Sequence, residues 1–374
     1  MPTIRIDYYE KNRLPLIIGP VRQSVEQIRA LHPEALIFIR TGWLHGPHLE
    51  LCVTSEAEID VSPQLQLIRN WVKEHPSATQ LKADEYEMLS RKVGALEGIR
   101  GPYLPLRPDN TAELVDYHQP RLVDGHEVLQ GSYIRFFDRS TPVLFRLAAL
   151  KSSDVSLATI VEVAMLARAA DQFEPEGLAR GYLSLQAHAD FFFANFDRAG
   201  HLRRQYERLA ETWSEQLELA VLGRPQLAAG NSEAGAQAAE IMTIWEEVLA
   251  DAKAEIQRVI RIDKSWFDYN PTAFPDEVGE ESEYKEAFAS AGMRMRMIEK
   301  GETLVGMLGE VDPAFFRSEN FQTFRVILNM FYSFLRTLNV SPAGRFCLCY
   351  LVATTFCRIR DNGKLAAVRE RVEI

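Results

Sequence analysis

The densest concentration of side chains able to do chemistry is the run Arg40-Thr-Gly-Trp-Leu-His45-Gly-Pro-His48-Leu-Glu50. It offers one guanidinium, two imidazoles and a carboxylate within eleven positions. His48 and Glu50 stand two apart in an alternating stretch, so on a strand they share a face. Arg40 ends the apolar run before them. Together, Arg40, His48 and Glu50 are the parts of general acid–base work: a fixed donor, a titrating base and a carboxylate. The same three types also describe a plain hairpin face carrying an Arg–Glu ion pair. A second cluster is Tyr117, His118, Arg121, Asp124 and His126, in a turn-rich segment of the kind that often carries function. Tyr133, Arg135, Asp138 and Arg139 follow, with Asp138 placed to pair with either neighbouring arginine. From these groups Arg40, His48, Glu50 and Tyr133 are the candidate catalytic residues. His45, Tyr117, Arg121 and Arg135 are the candidate substrate contacts.

Other chemistries lack their parts. There is no GxGxxG, no Gly-rich lysine loop, no HExxH and no GxSxG, so no nucleotide, metal or serine-nucleophile site is expected. Cys52, Cys347, Cys349 and Cys357 form no CxxC pair, and they read as reduced, buried thiols. His188 lies in an apolar helical pattern and is expected to be a core side chain. Met293, Met295 and Met297 alternate with Arg294 and Arg296, a basic stripe suited to a helix edge or to an acidic or extended peptide. Neither a cofactor nor a metal is expected.

The elements that must position these residues follow from periodicity. Thr3 to Tyr9 alternates and reads as a strand; Val21 to Leu31 has helical spacing. Residues 35–41 and 47–54 alternate about a Gly/Pro loop, which predicts an antiparallel hairpin. Ser62 and Pro63 open a helix as N-cap and first residue. A second helix is expected near 84–96. Residues 98–110 hold three prolines and two glycines and read as a boundary loop. Glu113 to Tyr117 reads as a short strand. From Glu127 the chain is almost wholly helical, with Ser140-Thr141-Pro142 as a helix start. Helices are also expected at 283–307, 314–338 and 344–358, with a solvent loop at 263–280. The fold class is α+β: an N-terminal antiparallel sheet with helices, followed by a large, mostly helical region. The expected division is 1–125 and 126–374, which the pattern also allows to pack as one domain.

The 374 residues carry 42 basic and 52 acidic side chains, a net charge of −10. That argues against a nucleic-acid partner held by a net basic field. With 47% hydrophobic residues the chain can fill a core. The N-terminus has no apolar signal region and no 18-residue apolar run exists. A cytoplasmic protein with no membrane partner is expected.

The run ALIFIRTGW…GPHLEL resembles the F-I-R-Y…P-H-L-R-L-R signature at the start of the elimination-type domain of class I lantibiotic dehydratases, whose stand-alone forms are thiopeptide-type bacteriocin biosynthesis proteins. Pro105 to Asn110 is similar to the family's P-L-x-P-D-N run. LNVSPAGRFCLCYLVATTFCRIR resembles its closing helix, where P-x-E-R leads to L-L-H-M-x-x-N-R. In glutamate-eliminating members the hairpin reads H-x-R-x-R, and its arginines hold the glutamyl ester. Here the matching positions are Glu50 and Cys52. The family's Y-x-x-E-x-x-R-Y-G-G is reduced to Tyr117 with Arg121 off the motif's spacing, and Ala353 stands where the closing helix would carry its histidine. Arg40, His48 and Arg358 are kept.

One branch of the family is pyridine synthases, which join two dehydroalanines of a modified peptide by a formal 4+2 cycloaddition and expel water and the leader peptide. That chemistry has no glutamate to grip. The resemblance therefore implies a tailoring enzyme of ribosomally made peptides, bound to a precursor peptide through its leader and working beside a separate dehydratase. A glutamate-eliminating lyase and a non-catalytic precursor-binding scaffold are the alternatives.

Overall fold

The computed structural model describes residues 1–97, 101–118, 127–197, 199–230, 232–262 and 318–363. The expected helix at 283–307, the loop at 263–280 and the Met293–Met297 stripe fall outside these residues. The elements group into two compact units. One holds Met1–Ala149 with Ser333–Asn339; among the described residues the other holds 150–262, 318–332 and 340–363.

In the first unit, β1 (Thr3–Asp7), β2 (Leu36–Gly42), β3 (His48–Thr54) and β4 (Thr111–Val115) form one antiparallel sheet in the order β2-β3-β1-β4. The expected hairpin is β2–β3, in a register that sets Arg40 opposite Glu50 and Gly42 opposite His48. One face carries Ile4, Ile6, Ile37, Ile39, Leu49, Leu51 and Val53, all within 2% of full burial. Helices α1 (Arg22–Leu31), α2 (Ser62–Glu74) and α3 (Ala83–Glu97) are amphipathic and complete this part. The opposite face is polar: Arg40, Glu50, Arg5 and Glu113 stand in one cross-strand row of alternating sign.

Helix α4 (Glu127–Ser153) runs straight through Ser140-Thr141-Pro142, where the sequence signals a helix start. Pro142 has no N–H for the carbonyl four residues back, that of Asp138. Arg29 Nη2 donates to that freed carbonyl at 3.2 Å and to Asp138 Oδ1 at 2.9 Å. Asp138 Oδ1 also accepts from the Ile37 backbone N at 2.8 Å. Ser140 and Thr141 bond back to the carbonyls of Phe136 and Phe137. The proline is thus absorbed by tertiary contacts, and Asp138 pairs with Arg29 of α1, a partner distant in sequence.

The second unit is helical: α5 (Val155–Ala170), α6 (Leu178–Phe196), α7 (His201–Thr212), α8 (Ser214–Val221), α9 (Glu233–Ile262), α10 (Glu319–Thr337, to residue 332 in this unit) and α11 (Pro342–Asp361). The α5 sequence is apolar nearly all round and lies buried at the centre. Its one buried acid, Glu162, pairs with Lys151 at 2.6 Å. α6 approaches α5 so closely that a Cβ at Gly181 would lie 2.0 Å from the Ala170 carbonyl oxygen. Trp245 of α9 is fully buried and donates to the Met165 carbonyl.

Candidate functional site

The hairpin gathers a charged cluster on the polar face. Arg40 Nε donates to Glu50 Oε2 across the β2–β3 pair. His48 Nε2 lies 3.6 Å from Glu50 Oε1. His48 Nδ1 faces the Gly46 carbonyl at 2.8 Å; a carbonyl only accepts, so a proton sits on Nδ1. His48 is 4% and Glu50 9% exposed. Burial alone would raise the Glu50 carboxyl; His48 and the Arg40 guanidinium outweigh that and hold it at about 2, against an ordinary 4.5. Burial pushes the neighbouring Cys52 thiol up to about 12, so it stays neutral.

Arg40 then reaches outward. Its guanidinium carbon lies 4.8 Å from the Tyr117 ring centre. Phe38, on the same face of β2, meets Tyr117 and Tyr133 edge-on at 6.0 and 6.4 Å. Burial raises both phenols, most of all Tyr133, which keeps them as protonated donors. Arg40, His48, Glu50, Tyr117 and Tyr133 thus come together. His45 does not join them: it adopts a positive φ of 64°, and its Nδ1 lies 3.2 Å from the Pro105 carbonyl. Arg135 packs back over Gly131 of its own helix. Arg121 lies outside the described residues. His48 is enclosed in the hairpin.

Two contributors are not legible in the motif. A Cβ at Gly42 would stand 2.1 Å from His48 Nε2, so the missing side chain makes the room in which the imidazole lies. Arg13 donates to the His48 carbonyl at 3.2 Å and to Asn339 Oδ1 at 3.4 Å, and burial lowers its pKa to about 10. Arg5, 7% exposed, donates to Asp7 through Nε and Nη2 and to the Leu44 carbonyl. In α11, Arg358 donates to the Ser214 carbonyl at 3.0 Å and pairs with Glu218, so it clamps the α7–α8 corner. Among the described residues no group of three His, Cys, Asp or Glu could hold a metal ion. No described helix is long and apolar enough to cross a membrane.

The depressed Glu50 pKa fixes the sign of an acid effect. A carboxyl lowered by folding adds stability above its unfolded value, and that stability drains away as pH falls from 4.5 towards 2. About 2.5 units at about 1.4 kcal/mol each gives roughly 3 kcal/mol. Urea titrations should show the parent losing about that much more than Glu50→Gln between about pH 6 and pH 2. Parallel losses in the two proteins would remove the ion pair from the account.

The comparisons agree with this architecture. A solved pyridine synthase, TbtD, from thiomuracin biosynthesis, superposes with a TM-score of 0.68 at 19% identity, covering 96% of this chain and 98% of that one. The structure of TsrL gives 0.63 at 16% identity over 99% and 98%. The tRNA-dependent lantibiotic dehydratase MibB from Microbispora sp. 107891 gives 0.51 at 14% identity, and this chain spans 28% of its length. No curated protein matches the sequence. The family model described as lantibiotic biosynthesis dehydratase C-term matches residues 3–356. The chain belongs to that family, as the FIR…HLEL hairpin and the closing helix indicate.

Proposed function

We propose that this protein tailors a ribosomally made precursor peptide, joining two dehydroalanines by a formal 4+2 cycloaddition with loss of water and the leader. Its family and its likeness in fold to a pyridine synthase support the reading. The observation that carries it is the Arg40–Glu50 pair. Glu50 fills a position where glutamate-eliminating members hold an arginine, and its charge is already spent on Arg40. A glutamyl carboxylate arriving there meets a buried carboxylate instead of a fork of donors.

The Nη groups of Arg40 take no acceptor among the described residues and are the donors left for substrate. In this mechanism they bond the amide oxygen of one dehydroalanine partner as it becomes an iminol. Two carbon–carbon bonds then form to the second alkene; the ring afterwards releases water and the leader as an amide. Holding the two alkenes at reacting distance supplies much of the rate. Glu50 orients Arg40, and His48 orients Glu50.

The test is single-turnover conversion of the dehydrated precursor, read by mass spectrometry. Arg40→Lys keeps the ion pair but loses the fork, and should slow ring formation about a hundredfold. Precursor Kd should stay near 1 µM, or about −8 kcal/mol, and weaken when the leader is removed. Release of glutamate from a glutamylated peptide would establish the lyase instead. Tight binding with no product from the parent protein would establish the scaffold.

A further inference from the structure

Among the described residues Arg345, in the first turn of α11, is a cation without an anion. Its guanidinium carbon lies 4.9 Å from the Tyr332 ring centre and 4.8 Å from that of Phe346. Its Nε is closed off from water and has no hydrogen-bond partner. In a chain with 52 acidic side chains, none among the described residues pairs with it. Its place is also electrostatically adverse. Ser341 caps a 20-residue helix whose first turn holds no acid, so the positive end of the helix and Arg345 stand together. Such an arrangement is relieved by a ligand that brings negative charge and in-plane acceptors.

The surroundings narrow the ligand. Phe346 stacks on Phe192 at 4.6 Å and 16°, and Phe192 on Phe196 at 5.6 Å and 29°. Phe196 is 55% exposed, so flat apolar surface leads from solvent to the half-buried guanidinium. Tyr332 is held in place by His188 Nδ1 at 2.9 Å and Cys349 Sγ at 3.4 Å from its hydroxyl. The histidine that the sequence reads as a core residue thus fixes one wall of the site. With two aromatic rings against the guanidinium carbon, its N–H groups are what remain for a ligand, and a carboxylate matches their planar fork.

We propose that Arg345, Tyr332 and Phe346 form a binding site for a carboxylate borne next to a planar group. That a peptide bears this carboxylate rests on the function proposed above; the site itself does not. The probe is N-benzoylglycine against its primary amide, titrated into the full chain by saturation-transfer NMR. A third probe, N-benzoylaspartic acid α-amide, presents the carboxylate on a side chain instead of a chain end. The free acid should bind with a Kd of about 1 mM and the amide about tenfold more weakly. Arg345→Gln should erase that difference, and Arg345→Lys should keep part of it, both with unchanged circular dichroism. If Arg345→Gln unfolds the chain, Phe346→Leu serves: it should weaken the acid severalfold and keep the preference over the amide. Equal binding of acid and amide, or no binding of either, would overturn the site. Probe binding without any conversion of a precursor would leave the site standing and sink the proposed function.

Discussion

Glu50→Ala should be among the most damaging single changes in the first unit, lowering its stability by about 3–5 kcal/mol. The reason is what stays behind. Arg40, His48 and Arg5 lie on the same polar face, and Glu50 stands opposite both arginines in register. Taking away the carboxylate leaves the Arg40 side chain, 14% exposed, without its ion-pair partner among the described residues. A double-mutant cycle with Arg40→Met separates the pair's own coupling from the cost of an orphaned charge. The double variant should recover much of the loss, because a methionine fills similar volume without a charge to satisfy. A Glu50→Ala loss below about 1 kcal/mol in urea unfolding would show that water already reaches the cluster.

Gly42→Ala should be nearly as harmful for a steric reason. Cross-strand neighbours project to the same side, and here one neighbour is an imidazole lying over the other's α-carbon. A methyl group 2.1 Å from His48 Nε2 cannot be accommodated unless the ring leaves. Leaving breaks the contacts to the Gly46 carbonyl and to Glu50. Overpacking of this kind costs about 1–3 kcal/mol. Under the proposed function, loss of ring formation should accompany it, because Glu50 and with it Arg40 are no longer held. The nitrogen-15 shift of the His48 ring reports the displacement directly. A shift identical to the parent's would show that the backbone gives way instead.

What could be read from the sequence divides along physical lines. The hairpin, the two opening helices and the α+β class follow from periodicities that burial on one face enforces, and they stand in the structure within a residue or two. The Arg40–Glu50 face follows from the same alternation. Its burial does not, because Arg5, Asp7 and Glu113 give β1 and β4 the look of a solvent-facing side. Only their cross-strand register shows that the charges neutralise one another. Pro142 misleads because the carbonyl it orphans is satisfied by Arg29, 109 residues away from Asp138. Gly42 carries no sign of its role until the strand opposite is known. The hydrogen bond from His188 to Tyr332 spans 144 positions, beyond any local pattern.

Both outer strands of the sheet are bonded sideways by side chains. On β2, the Ile37 N–H goes to Asp138 and its carbonyl accepts from Thr141. On β4, the Ala112 carbonyl accepts from Arg69 at 2.8 Å. The rims of the sheet are therefore bricked up where another chain would begin to zip on. Two copies of the protein cannot join rim to rim at these points into a growing ribbon, which protects it at the high local concentrations of synthesis. An incoming peptide is likewise denied backbone-to-backbone pairing at these points.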